Sequence, residues 1–141
     1  MRVTDNTGLI NASAASQTMV PAFIFDPKQA KSNPYFSHNA FQFMIESIRD
    51  LSQQAESERG SLCIFRGRPE AVVEDLIADQ DLEAVFVNRD YTPFSRARDG
   101  AIEKLCKEKE VAFHASSDAL LHEPGMCLKR TASRTQFSLI F

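Results

Sequence analysis

Four apolar residues in a row, Ala84-Val85-Phe86-Val87, followed at once by Asn88-Arg89-Asp90-Tyr91-Thr92-Pro93, constrain this chain more than any other stretch. A short, unbroken apolar run with two valines suits a strand covered on both faces, as in a parallel sheet. An amide and two opposite charges then stand at its carboxyl end, and open α/β sheets take their ligands outside the carboxyl ends of strands. Pro93 ends the loop, and Ser95 is placed to cap a helix running to about Glu110. On shape alone this is a strand-to-helix turn in which Arg89 and Asp90 satisfy each other. A binding loop is the sharper alternative.

The rest of the chain repeats that alternation. Residues 1–8 are polar and turn-rich and read as a loop, and Leu9 to Gln17 reads as a short helix rich in Ala and Ser. Val20 to Phe25 is a strand stopped by Asp26-Pro27, and a turn-rich stretch from Lys31 to Phe36 leads to Ser37, a second N-cap. Phe41, Met44, Ile45, Ile48 and Leu51 then recur at steps of three and four, which predicts an amphipathic helix with a core face. Gly60 closes it. Ser61 to Phe65 is the next strand, and Pro69 stands at a first helical position, before an inner face of Ala71, Val72, Leu76 and Ile77. The helix after the focal loop carries Ile102, Leu105 and Cys106 inward, and Val111 to His114 is a last short strand. Strand and helix in this order demand parallel pairing through right-handed crossovers, hence a three-layer α/β sandwich.

Composition narrows the function classes. At 141 residues the chain is one domain with room for a real core, and a net charge of −3 argues against a chain-wide grip on nucleic acid. No apolar run nears the ~20 residues that cross a bilayer, and the first residues lack a signal-peptide pattern. Cys63, Cys106 and Cys127 are an odd, scattered set, which reads as reduced thiols and a cytoplasmic location. With His38, His114 and His122 they show no zinc spacing, and no Gly-rich dinucleotide or NTP loop is present. Cys106 lies on an inner helix face, against a nucleophile. Asp26 and the Asn88–Tyr91 loop both follow parallel strands and open on one sheet edge, where a flat ligand can lie against Phe25, Phe36 or Tyr91.

At this point the chain resembles a family. Val20 to Pro27, Asn33-Pro34-Tyr35-Phe36-Ser37, Phe43 to Leu51, and Asn88 to Ser95 with Arg98-Asp99 look like the N-terminal α/β domain of DNA photolyases and cryptochromes. So do Phe113-His114, Asp118, Pro124-Gly125 and Leu128-Lys129. The resemblance implies a Rossmann-like domain that holds a light-harvesting antenna, a folate, deazaflavin or flavin, and passes excitation to FAD in a separate helical domain that binds damaged DNA. Carried across, it maps the antenna pocket onto Phe25, Asp26, Pro27, Asn33, Phe36, Asn39, Asn88, Arg89, Asp90 and Tyr91. No catalytic or metal residue is implied here. Phe94-Ser95 replaces a glutamate-containing pair that folate-holding members show, which favours a deazaflavin or flavin.

Two departures shape the expectations. The family's apolar first strand, the middle of a sheet ordered 3-2-1-4-5, has no counterpart before Met1-Arg2-Val3-Thr4-Asp5-Asn6. Val20–Phe25 and Ala84–Val87 then lose their shared neighbour, and either close on each other or pair between chains, so self-association is expected. The catalytic FAD and direct DNA binding are not expected in this chain. About residues 130–141 diverge from the family, and their codons, read one register over, can spell the expected Gly-Lys-Pro-Tyr-Thr-Val-Phe-Thr continuation, which points to a frameshift. The function readings are an antenna domain inactive in repair alone, a stand-alone flavin- or nucleotide-binding module with a separately encoded helical partner, and a remnant of a broken gene.

Overall fold

The computed structural model describes residues 5–31, 36–57 and 60–117. Nine elements follow in order: α1 (Thr7–Ala15), β1 (Ala22–Phe25), α2 (Pro27–Lys31), α3 (His38–Ser57), β2 (Cys63–Arg66), α4 (Pro69–Gln80), β3 (Ala84–Asn88), α5 (Pro93–Glu108) and β4 (Ala112–Ser116). β1 pairs in parallel with β2, from Ala22 opposite Cys63 to Phe25 opposite Arg66. β3 pairs in parallel with β4, from Ala84 opposite Ala112 to Asn88 opposite Ser116.

The lateral order follows from the crossovers. α4 links β2 to β3, yet it packs on β1 and on α5, while α5 packs on β4. The chain therefore passes over β1 on its way to β3, and the order is β2-β1 followed by β3-β4. β1 and β3 are turned toward each other but exchange no ladder bonds, so the strands form two separate pairs. Among the described residues β1 and β3 have not closed on each other. All five residues of β3 are accordingly only half-buried.

One core spans both pairs. Val73 of α4 and Ile102 and Cys106 of α5 are buried together, with Ile24 of β1 and Val85 and Phe113 of the other pair against them. Because strand side chains alternate, Phe23, Phe25 and Phe86 face the opposite layer. There Phe25 meets Phe41 of α3 at 6.3 Å between ring centroids, and α1 lies on β3 and β4. The expected three layers are present.

Several boundaries differ from the sequence reading, each for a local reason. α5 begins at Pro93 with Thr92 as its cap, because the Thr92 hydroxyl accepts from the Ser95 N–H at 3.2 Å. Ser95 lies inside the helix, 4% exposed. In α4 it is Val73 that reaches the core, while Ala71 is exposed. α1 starts at Thr7 because Asn6 caps it, its side chain accepting from Leu9 N–H at 3.0 Å. Ser37 does act as a cap for α3, accepting from the Ala40 N–H.

Candidate functional site

The carboxyl end of β3 is a polar clamp. Gly8 N–H donates to Asn88 Oδ1 at 2.8 Å, and Asn88 Nδ2 donates to Asn6 Oδ1 at 2.8 Å. A strand end and a helix start 80 residues apart in sequence thus satisfy one another's polar groups, with Asn6 serving both. The approach needs a glycine: a Cβ on residue 8 would stand 2.6 Å from Asn88 Oδ1. Asn11 Nδ2 adds a second tie to Ser116 Oγ at 3.0 Å. The Arg89 N–H donates to the Ser116 carbonyl at 2.8 Å, carrying the β3–β4 ladder one step further.

Asp90 works on the next helix. Its carboxylate accepts from Ser95 Oγ at 2.8 Å and from the Thr92 N–H at 3.2 Å. The Ser95 hydroxyl bond, then the Thr92 amide, hold the Asp90 carboxyl below its ordinary range. Tyr91 places its hydroxyl in the interior, where it has no hydrogen-bond partner among the described residues. A buried phenol left without a partner is uncommon and calls for an explanation. Further along α5, Arg98 and Asp99 pair at 2.7 Å.

The carboxyl end of β1 is aromatic. Phe23 and Phe25 meet edge to face at 4.9 Å, and Phe36 stands 5.6 Å from Phe41 and 5.1 Å from the His38 ring. With the Phe25–Phe41 contact these rings form one continuous cluster. Asp26, 8% exposed, accepts from the Lys28 N–H at 2.8 Å and so caps the short α2, which Pro27 opens. Asn39 is exposed on the first turn of α3. Asn33 lies outside the described residues, as do Asp118, Pro124, Gly125, Leu128, Lys129 and residues 130–141.

The described contacts thus gather the candidates in two clusters on one sheet edge. Phe25, Asp26, Pro27 and Phe36 belong to the β1 end, and Asn88, Arg89, Asp90 and Tyr91 to the β3 end. Phe41 and His38 extend the first cluster, and Asn6 and Gly8 complete the second; the sequence reading assigned none of these four to the site. An Asn followed by helix-compatible residues was a cap signal for Asn6, whereas nothing local marks Gly8. A separate open groove of about 510 Å³ runs between α1 and β4, floored by Phe86 stacked on His114 at 4.7 Å. None of the candidate residues lines it. Among the described residues no group of His, Cys, Asp and Glu is arranged to hold a metal, and no helix is long and apolar enough to cross a membrane. Burial pushes the Cys106 thiol up, which keeps it protonated and unreactive at neutral pH.

Parallel strands linked by helices on both faces, with aromatic and polar loops at the carboxyl edge, define a doubly wound α/β domain. Comparison with known proteins narrows the class. The sequence matches the DNA photolyase family over residues 1–139, and the chain belongs to that family. A photolyase from Sulfolobus tokodaii, whose structure holds two FAD molecules, is 41% identical with a TM-score of 0.78, over 83% of this chain and 27% of that one. A class III photolyase from Agrobacterium tumefaciens superposes with a TM-score of 0.81 at 26% identity, covering 92% of this chain and 26% of its own. Cryptochrome-1 of Aedes aegypti is 30% identical over 92% of this chain and 25% of its own. The chain spans about a quarter of the length of these relatives. It corresponds to their α/β portion.

Proposed function

We propose that this chain is an antenna-chromophore-binding domain of the photolyase type, which takes a flavin or deazaflavin in preference to a folate at the carboxyl edge of its strands. The observation that carries the reading is the ring cluster of Phe25, Phe36, Phe41 and His38 at the end of β1, an apolar wall of the kind a flat heteroaromatic ring stacks on. The S. tokodaii relative, described as carrying two FAD molecules with one implied as a light-harvesting cofactor, supports the ring class. The Tyr91 hydroxyl, buried without a partner among the described residues, is suited to meet a polar edge of such a ring.

The remaining candidates act at one remove. Asn88 and Asp90 hold α1 and α5 in place, and Asp26 with Pro27 holds α2, so they shape the rim. Arg89, exposed at the edge, is placed for an anionic tail, and Asn39 stands at the helix start two residues after Ser37, near Phe36 in sequence. In this reading the α/β domain collects light, and excitation transfer and dimer repair belong to the helical, FAD-binding region that the family resemblance implies.

The test is titration of the purified chain with FMN, FAD and a deazaflavin, read by flavin fluorescence. Saturable binding is expected, weakened several-fold by Phe36→Ala and by Tyr91→Phe, the second keeping the ring and deleting only the hydroxyl. Binding of a folate but of no flavin or deazaflavin overturns the ligand class. Flavin binding indifferent to both substitutions moves the site elsewhere. Under blue light, with FAD added, no splitting of pyrimidine dimers is expected.

A further inference from the structure

We infer that the ligand of the ring cluster carries a phosphate, and that Arg66 of β2 holds it with a guanidinium standing beside the rings. The inference rests on the antenna reading above and narrows it to the phosphorylated members of that ring class. The register of β1 and β2 supplies the placement. Phe25 lies opposite Arg66, and Phe23 opposite Ile64. Neighbouring strands run about 4.8 Å apart, and residues paired in this way send their side chains to the same face. Ile24 packs on the α4–α5 core, so Phe23, Phe25, Ile64 and Arg66 occupy the other face. That is the face on which Phe25 meets Phe41 and Phe41 meets Phe36. Arg66 is therefore the cation that flanks Phe25 at the carboxyl end of its strand. Its side chain is exposed, and among the described residues no ion pair or side-chain hydrogen bond engages it.

The charges around it leave this end of the edge positive. Where β1 and β2 give way to α2 and α4, the chain places Lys28, Arg66 and Arg68 against Asp26 and Glu70. Both carboxylates are already engaged: Asp26 accepts from the Lys28 N–H, and Glu70 pairs with Arg68 at 2.7 Å. Lys28 lies near enough to Glu70 to help hold its carboxyl below the ordinary range, after the larger effects of a backbone hydrogen bond and Arg68. The uncommitted charge is that of Arg66, with Lys28 behind it. A guanidinium presents a planar fork of donors that matches two phosphate oxygens, and it stays charged at any working pH. Arg89 stands at the end of the other strand pair and is already engaged. An exposed arginine on an outer strand also discourages edge-to-edge pairing. That role is indifferent to a phosphate on the ligand, and the experiment separates the two.

The experiment titrates the full chain with riboflavin and with FMN, which share ring and ribityl chain and differ by one phosphate. FMN should bind about tenfold tighter at low ionic strength, the yield of one charge-assisted pair, and the preference should shrink as salt screens it. Arg66→Gln should bring FMN within about twofold of riboflavin and leave riboflavin affinity unchanged, which shows that the fold and the ring site are intact. Arg66→Lys keeps the charge without the fork and should fall between. Lys28→Gln should remove a smaller share of the preference. Pyrophosphate should displace FMN and leave riboflavin bound. Equal affinity for the two flavins overturns the inference while the antenna site stands. So does an FMN preference that survives Arg66→Gln, or one that falls further with Arg89→Gln, which moves the phosphate to the end of β3. Displacement of riboflavin by pyrophosphate overturns it as well, since ring and anion would then share one place. Binding of neither flavin is the failure of the antenna reading itself, and the inference falls with it.

Discussion

The two strand pairs share a direction of pairing and almost a length, yet they are held in different ways. β3 and β4 lie between α5 on one face and α1 on the other, and the α1 side is tied by Asn6, Gly8, Asn88, Asn11 and Ser116. β1 rests on α4 with β2 paired beside it, and their other face is bounded mainly by rings, with Ile64 of β2 left 52% exposed and Phe43 of α3 72% exposed. One pair is fastened by directional bonds to a neighbouring helix, the other by non-directional aromatic contact. Directional ties fix geometry; ring contacts tolerate an added ring. Under the proposed function the pair with looser cover accepts the planar ligand, and the pair with polar ties holds the edge beside it.

Four substitutions break or sharpen this contrast. The largest effect is expected where the pairs share a core. Ile102→Ala should cost about 2–4 kcal/mol in urea unfolding and release both pairs together, because Ile24 and Val85 rest on the same cluster. Hydrogen exchange that loosens β3–β4 but leaves β1–β2 untouched would separate the two into independent units.

Gly8→Ala comes next. The new Cβ would meet Asn88 Oδ1 at 2.6 Å, so α1 must shift and the clamp must lengthen. The expected loss is about 1–3 kcal/mol, with exchange accelerated in α1 and β3 and little changed in β1 and β2. Equal acceleration in all four strands would show that the clamp supports the whole sheet.

Ser95→Ala should cost about 1 kcal/mol at neutral pH, since a buried hydroxyl bonded to Asp90 and Thr92 is removed. It also carries a pH signature. Asp90 has a lower pKa folded than unfolded, so its contribution is complete above the ordinary carboxylate range. That contribution disappears as pH falls through the depressed folded value, below about pH 4. Without Ser95 the depression shrinks, and the loss of stability between pH 6 and pH 3 should be smaller than in the parent. An unchanged acid slope would assign the depression to the Thr92 amide.

The smallest effect is expected for Ile64→Thr, on the half-exposed strand face, within about 0.5 kcal/mol by thermal unfolding. A loss above about 2 kcal/mol would mean that this face is covered in solution.

Regular features were readable from the amino acids wherever a local pattern decides the outcome. The Ala84–Val87 run is a strand, Phe41 to Leu51 recur on one helix, and Ile102 and Cys106 face inward, because periodicity and burial act through neighbours in sequence. The photolyase family was legible instead as a resemblance, carried by short stretches such as Val20 to Pro27 and Asn88 to Ser95 with Arg98-Asp99. Helix ends were harder: Asp81, which closes α4, and Glu110, just beyond α5, take left-handed φ of 50° and 58° where a glycine would have announced the stop. The choice of Val73 over Ala71 depends on how α4 lies across β1, which no local pattern contains. The partners of Asn88 and Asp90 were illegible too, since a free loop amide and carboxylate look identical in sequence to ones already committed to Gly8 and Ser95.

The Asn6–Gly8–Asn88 clamp joins residues 80 and 82 positions apart, and that span carries a consequence for how the chain is made. On a ribosome adding roughly 5–20 residues each second, α1 emerges roughly 4–16 s before the strand end that receives it. Nine residues of Ala- and Ser-rich helix are too short to persist alone in that interval. α1 therefore stays without lasting helical structure while the intervening chain appears, and it docks late, after a long loop has closed. Nascent chains stalled before and after Asn88 should differ most in protease sensitivity across α1, made well before β3 and secured only once Asn88 is in place.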